Sequence, residues 1–353
     1  MTTINQSPAS HDRVEDTAGV PLLEVDDLHV EFHTREGVAK AVNGVSYSVS
    51  AGETLAVLGE SGSGKSVTAQ TIMGILDMPP GRITGGRILF RGEDMLAMPP
   101  EMRRKIRGRR IAMIFQDALS SLNPVLTVGY QLGEMFRVHQ GLSRKEAKAK
   151  AIELMERVRI PAAKERVSDF PHQFSGGMRQ RIMIAMALAL EPDLIIADEP
   201  TTALDVTVQA QVMDLLAELQ REYNMGLILI THDLGVVADV ADKIAVMYAG
   251  RIVETAPVHE LYKRPAHPYT KGLLESIPRL DLKGKELFAI KGLPPSLMRI
   301  PSGCAFHPRC PMARDICRTE TPPLHPVTEK DGAELPGRGS ACHFWKETLS
   351  AGE

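Results

Sequence analysis

The chain is 353 residues long, 43% hydrophobic and 24% charged, with 41 Lys and Arg against 44 Asp and Glu for a net charge of −3. That length suits one large domain with an appendage, and the near balance of charge argues against a nucleic-acid coat or a polybasic membrane anchor, so no nucleic-acid partner is expected. The longest near-uninterrupted apolar run, Ile182 to Leu190, is about half a membrane span, so the chain is expected not to cross a bilayer by itself, while docking on a membrane protein stays open.

Residues 1–20 carry His, Asp, Arg, Glu and Pro without an apolar stretch. They read as a disordered tail, not a secretory signal, and the expected compartment is the cytoplasm. Alternation of Leu23, Val25, Leu28, Val30 and Phe32 predicts a strand, with Gly37 as a nearby turn. Thr54 to Leu58 predicts a second strand that runs into a glycine-rich loop. A helix follows from Val67 to Leu76 and ends before Pro79-Pro80-Gly81. Arg87 to Phe90 and Ile111 to Phe115 are further strand candidates. The segment 118–190 reads as mostly helical, with Ser143-Arg144-Lys145-Glu146 matching a capping box. Apolar runs at Leu194 to Ala197, Leu227 to Ile230 and Ile244 to Met247, separated by helical stretches, predict parallel strands with crossover helices. On this reading the α/β core ends near Glu254. Repeated prolines from Pro265 to Pro323 then make 257–353 a small irregular appendage without long regular elements, and no internal repeat is present.

Two motifs carry chemistry. Gly59-Glu60-Ser61-Gly62-Ser63-Gly64-Lys65-Ser66 fits G-x-x-x-x-G-K-[ST] between a strand and a helix, and Val67 carries the run into that helix. The glycines let backbone N–H groups curl around phosphate oxygens, and the helix N-terminus adds a favourable dipole. Lys65 is placed to reach the β- and γ-phosphates and Ser66 to ligate Mg²⁺. Leu194-Ile195-Ile196-Ala197-Asp198-Glu199 is an apolar strand ending in two acids. Asp198 is placed to hold Mg²⁺ through water, and Glu199 to orient or deprotonate an attacking water.

Phe174-Ser175-Gly176-Gly177-Met178-Arg179-Gln180-Arg181 precedes the second motif by one helix length and resembles the signature sequence of ATP-binding-cassette (ABC) ATPases. Phe174 stands where Leu is usual and Met178 where Gln is usual. The resemblance implies that two cassettes pair head to tail, with Ser175, Gly176, Gly177 and Met178 covering the ATP held by the partner. It also implies that Gln116 senses Mg²⁺ and couples to a transmembrane partner, that Thr202-Ala203-Leu204-Asp205 is a dimer-contact loop, and that His232 is a switch histidine at the γ-phosphate. Phe32 stands where family members often stack an aromatic on adenine, with a plain core aromatic as its rival. The basic run Arg103 to Arg110 could suggest nucleic acid or anionic lipid, and a solvated charged face is the preferred reading. The implied fold is an α/β ABC-type P-loop cassette over 21–256, with a RecA-like core, an antiparallel β edge and a helical subdomain over about 118–190.

The tail narrows the resemblance. His267-Pro268-Tyr269-Thr270-Lys271-Gly272-Leu273-Leu274 and the stretch Gly303 to Pro311 resemble the tail of dipeptide and oligopeptide importers. The chain's four cysteines, Cys304, Cys310, Cys317 and Cys342, are spaced C-x5-C-x6-C-x24-C within that tail. The resemblance implies a metal-binding appendage whose cysteines hold a [4Fe–4S] cluster. A structural Zn²⁺, with His307 and His343 nearby, and four free thiols remain the alternatives.

The chain as a whole is thus similar to the ATP-binding subunit of a dipeptide/oligopeptide ABC importer. This implies ATP and Mg²⁺ as ligands and a second ABC ATPase subunit, expected to be a paralogue. It further implies two transmembrane permease subunits, an extracytoplasmic peptide-binding protein, and a peripheral location on the cytoplasmic face of the inner membrane. An importer of nickel, glutathione or another small solute is the rival within the class. A soluble ABC ATPase acting on DNA or ribosomes is disfavoured, because neither a long coiled coil nor a second cassette is present. A purely regulatory nucleotide binder is disfavoured by the presence of Glu199 and His232.

Overall fold

A computed structural model of the chain describes residues 20–117, 121–202, 204–277, 290–329 and 333–350. The expected disordered tail therefore lies almost wholly outside the described residues. Strands β1 (Leu23–Thr34) and β2 (Gly37–Val49) open the chain, β3 (Thr54–Leu58) leads into the glycine-rich loop, and β4 (Gly81–Phe90) and β5 (Glu93–Asp94) follow. Next come β6 (Ile111–Ile114), β7 (Leu194–Asp198), β8 (Gly226–Thr231) and β9 (Lys243–Tyr248), then β10 (Arg251–Pro257), β11 (His325–Thr328) and β12 (Glu334–Ser340).

These strands form two sheets. One is antiparallel, in the order β2-β1-β4-β5, and the other runs β11-β12-β10-β9-β3-β8-β7-β6. Within the larger sheet β6, β7, β8, β3 and β9 are parallel, as the predicted crossovers require. Every residue of β3, β7 and β8 is buried. A sheet covered on both faces needs apolar side chains on both, which is why these strands are continuous apolar runs instead of alternating ones. The faces nevertheless separate by register. Ala56, Leu58, Ile195, Ala197, Leu227 and Leu229 join the core shared with the helical segment, whereas Leu55, Val57, Leu194, Ile196, Ile228 and Ile230 face Leu23, Val25, Leu28 and Val30 of the antiparallel sheet. Each such leucine contributes about 1.5–3 kcal/mol by burial.

The helical segment holds the helices Val128–Gln140, Arg144–Arg157 and Gly176–Leu188. Ser143 closes the predicted capping box: its hydroxyl accepts the Glu146 N–H, and the Glu146 carboxylate accepts the Ser143 N–H. The helix expected from Val67 to Leu76 runs instead over Lys65–Met73. Gly64 and Gly74 bracket it in left-handed conformations, which ends the helix sooner than its apolar composition suggests. β6 stops at Ile114, leaving Phe115 outside it and 43% exposed.

Three further differences from the sequence reading concern strands. Gly37 is not merely a turn; it begins β2. Arg87 to Phe90 is only the last four residues of β4. The main sheet does not end at Glu254, because β10 passes through it and β12 pairs with β10 at Glu254↔Ser340 and Thr255↔Gly339. The tail is thus stitched into the central sheet, while its own elements are short, as its prolines predict. Buried Glu254 anchors it further: its carboxylate accepts the N–H groups of Ala266 at 2.7 Å and His267 at 2.9 Å.

Candidate nucleotide site and cysteine cavity

The loop between β3 and the helix Lys65–Met73 needs its glycines. Gly59, Gly62 and Gly64 have φ of 153°, 78° and 104°. A Cβ at Gly59 would sit 2.3 Å from the Met247 carbonyl oxygen, and one at Gly64 would sit 2.3 Å from that of Ala41. Neighbouring backbone therefore packs directly against this loop.

Lys65 is 6% exposed, and its ammonium donates to the carbonyls of Gly59 at 2.7 Å and Glu60 at 3.1 Å. Burial lowers its pKa, opposed by the negative fields of Glu199, Asp198 and Glu60. Ser66 Oγ donates to Asp198 Oδ1 at 3.0 Å. Burial raises the Asp198 pKa, the Ser66 hydrogen bond opposes that, Glu199 adds to it and Lys65 opposes it.

Glu199 follows β7 in a left-handed conformation, φ 47°. Such a conformation costs an ordinary side chain about 1–3 kcal/mol and persists where the surroundings impose it. Here the Glu199 N–H donates to the Ile230 carbonyl at 2.8 Å. Its Oε2 accepts from Gln116 Nε2 at 2.8 Å and Thr202 Oγ1 at 2.9 Å, and its Oε1 lies 3.4 Å from His232 Nδ1. Three elements thus aim one carboxylate: the segment after β6, the turn after β7 and the segment after β8. Thr202 belongs to the landmark Thr202-Ala203-Leu204-Asp205, and its hydrogen bond to Glu199 is visible only in the folded chain.

One cleft is lined by Phe32, Ala39, Ala41, Gln116, Glu199, His232 and the run Glu60, Ser61, Gly62, Ser63, Gly64, Lys65, Ser66 and Val67. Leu297, from the tail, completes the lining and was not anticipated. Phe32 both lines the cleft and packs against the core beneath the antiparallel sheet, so its two readings are not exclusive.

The signature residues lie elsewhere. Ser175 caps the helix Gly176–Leu188, accepting from the Met178 N–H at 3.4 Å, and none of Ser175, Gly176, Gly177 and Met178 lines the cleft. Gly177 is held close to the following helix, Val206–Tyr223, since a Cβ there would come within 2.4 Å of Val208 Cγ1. Phe174, the departure from the usual Leu, is 3% exposed, with the Arg166 guanidinium 4.2 Å from its ring centroid. Leu204 packs near Gly176, and Asp205 caps the helix Val206–Tyr223 through the Val208 N–H at 2.9 Å. Ala203 lies outside the described residues.

Cys304, Cys310, Cys317 and Cys342 line a second, small cavity together with Phe306, Met312 and Phe344. None of the four is in a disulfide. Burial pushes Cys310 up to about 11 and Cys342 up to about 12, and each is raised further by the neighbouring cysteines. His307 and His343 border the cavity, but their rings engage the carbonyls of Cys304 and Glu320 at 2.9 and 3.0 Å. Among the described residues no group of three or more His, Cys, Asp or Glu is arranged to hold a metal ion. The four cysteines of the expected metal-binding appendage thus line one cavity.

Comparison with known proteins decides the family. Residues 42–202 match the ABC transporter family, and residues 253–317 match the oligopeptide/dipeptide transporter C-terminal region. The oligopeptide transport ATP-binding protein OppD of Salmonella typhimurium is 51% identical, with 91% of this chain and 93% of the relative covered. The chain belongs to the ABC transporter ATP-binding proteins. Within that family the dipeptide transport ATP-binding protein DppD of Bacillus subtilis is 54% identical to this ABC protein, over 84% of the chain and 88% of the relative. A solved dimeric, post-hydrolysis structure of the ATP-binding cassette MJ0796 bound to ADP and Pi superposes with a TM-score of 0.60 at 26% identity, covering 67% of this chain and 98% of that one. Among the described residues of this ABC protein, no helix is long and apolar enough to cross a membrane.

Proposed function

We propose that this chain is the ATP-hydrolysing subunit that energises import of dipeptides or oligopeptides through an ABC transporter. The observation that supports it most is the grip of Gln116, Thr202 and His232 on Glu199, on the same cleft as Lys65 and Ser66. In this reading the loop amides and Lys65 bind the ATP phosphates. Ser66, Gln116 and Asp198 hold Mg²⁺, Asp198 through water, and the ion neutralises phosphate charge when bound. Glu199 orients or takes the proton of the attacking water, and His232 contacts the γ-phosphate. Ser175, Gly176, Gly177 and Met178 reach the ATP of a partner cassette, which accounts for their distance from the cleft of their own chain, and Ala203, Leu204 and Asp205 contact that partner.

The partners are a second ABC ATPase subunit, two transmembrane permease subunits and an extracytoplasmic peptide-binding protein. The chain sits peripherally on the cytoplasmic face of the membrane. Residues 21–256 perform the ATP chemistry, and 257–353 form the importer-type tail. The donor set of the tail suits a [4Fe–4S] cluster, because the four thiols that line one cavity are the ligand type and number that such a cluster takes. Bound there, the cluster would cross-link Cys304, Cys310, Cys317 and Cys342 and hold the tail together. The decisive experiment is peptide uptake and ATPase by the assembled transporter. Peptide-stimulated ATPase that disappears on Glu199→Gln is expected, and stimulation by a metal ion or another solute in place of peptides would overturn the substrate assignment.

A further inference from the structure

The second residue of the phosphate loop is held by two side chains of the tail. Arg309 forks the Glu60 carboxylate, Nη1 to Oε2 at 2.6 Å and Nη2 to Oε1 at 2.9 Å. The Arg309 side chain is only 6% exposed. It is fixed in turn by its Nε, which donates to the Lys291 carbonyl at 3.2 Å, and by Nη1, which donates to the Tyr248 hydroxyl at 3.3 Å. The Glu60 N–H donates to the Tyr269 phenol oxygen at 2.9 Å. Tyr269 is fully buried, its ring 4.7 Å from that of Tyr248 and 5.3 Å from that of Phe306. Leu297 meets the same cleft, its carbonyl accepting the Lys40 N–H at 3.0 Å.

These contacts have a direct electrostatic consequence. The loop is built to present amides to an anion, yet it carries a carboxylate at Glu60. An unpaired carboxylate there repels phosphates and is free to pull a glycine-rich loop out of register. A bidentate guanidinium cancels that charge and fixes the side chain in one geometry, which a lysine ammonium cannot do as well. Tyr269 meanwhile occupies the Glu60 amide and sets the entry of the loop.

We propose that Arg309 and Tyr269 of the tail are positioning residues of the nucleotide site, holding Glu60 neutralised and the phosphate loop set for ATP. The tail is then a working part of the ATPase as well as a structural attachment. This rests on the nucleotide-site reading given above.

The test is ATP binding to the full-length chain by calorimetry, with thermal unfolding as a control. Arg309→Ala is expected to weaken ATP binding about ten-fold, because one partner of a half-buried, bidentate charge pair is removed. Adding Glu60→Gln to that chain removes the stranded charge and is expected to restore most of the affinity, and thermal unfolding of the same chains separates this from a repair of stability alone. Arg309→Lys keeps the charge and the stem but not the fork, and is expected to lie between wild type and Arg309→Ala. Should Arg309→Ala fail to fold, Arg309→Lys carries the test alone, and wild-type affinity there overturns the proposal. Wild-type affinity in a folded Arg309→Ala chain, or a loss that Glu60→Gln leaves untouched, also overturns it. Absence of ATP binding in the wild type would instead overturn the nucleotide-site reading itself.

Discussion

Gln116 Nε2 donates to Glu199 Oε2 across 2.8 Å, joining the end of one core strand to the tip of its neighbour. Thr202 supplies a second hydrogen bond to the same oxygen. The carboxylate is therefore aimed by the protein's own groups, and its left-handed backbone is held by the Ile230 carbonyl. A base so placed needs little reorganisation to act on a water in the cleft.

Glu199→Gln keeps the size and one acceptor oxygen of this side chain but removes the base. Turnover is expected to fall about 10²- to 10⁴-fold while ATP binding persists. The measurement is steady-state ATPase of the assembled transporter with the second site disabled. Near-normal turnover there would remove Glu199 from the catalytic role.

Lys65→Ala and Ser175→Arg are expected to separate binding in one chain from pairing of two. Lys65→Ala removes a charged phosphate contact and should weaken ATP binding to the isolated chain by about ten- to hundred-fold. Ser175→Arg lies outside the cleft, so the isolated chain should bind ATP normally while the pair fails to close. Loss of the Ser175 cap on its helix costs about 1 kcal/mol, which thermal unfolding will register separately. Abolished ATP binding in the Ser175→Arg monomer would contradict action across a pair.

Much of this site was legible because its chemistry is local in sequence. The loop Gly59 to Ser66 declares itself through three glycines at positive φ, two of which, Gly59 and Gly64, also have backbone too close for a side chain. β3, β7 and β8 were legible because strands buried on both faces have to be unbroken apolar runs. β2 was not, since Lys40, Asn43, Gly44 and Ser46 interrupt its alternation. β12, with the sequence Glu334-Leu335-Pro336-Gly337-Arg338-Gly339-Ser340, forms by pairing with β10 and β11, and no propensity of its own announces it. The Arg309–Glu60 and Tyr269–Glu60 contacts link residues 249 and 209 positions apart, a relationship that only the folded chain makes visible.

The anchor at Glu254 predicts a pH dependence. Burial raises its pKa from 4.5 to about 7, so the folded chain keeps a proton that the unfolded chain releases. This stabilisation is present below about 4.5 and is lost as pH rises toward about 7. Neighbouring His267 acts oppositely: burial lowers it from 6.5 to about 3, so stability is lost as pH falls through that window. Glu254→Gln removes only the first effect. Relative to wild type, the variant is expected to gain about 1–3 kcal/mol between pH 5 and pH 8. Urea unfolding at both pH values measures this, and an unchanged difference would mean that Glu254 does not titrate with the fold.

The cysteine cavity gives the last prediction. Burial and mutual repulsion hold Cys310 and Cys342 as thiols, with pKa values of about 11 and 12. A bound metal centre would reverse this, because its positive charge deprotonates coordinating thiols outright. Anaerobically purified chain is therefore expected to be brown and to contain about four irons and four sulfides. Replacing any one of Cys304, Cys310, Cys317 and Cys342 with Ser should lower iron content and destabilise the tail more than the cassette, which limited proteolysis can localise. A colourless preparation with one tightly held zinc would assign a tetrahedral zinc site instead. If the preparation is metal-free, fully active and equally resistant to proteolysis, the four residues are reduced thiols packed around one cavity.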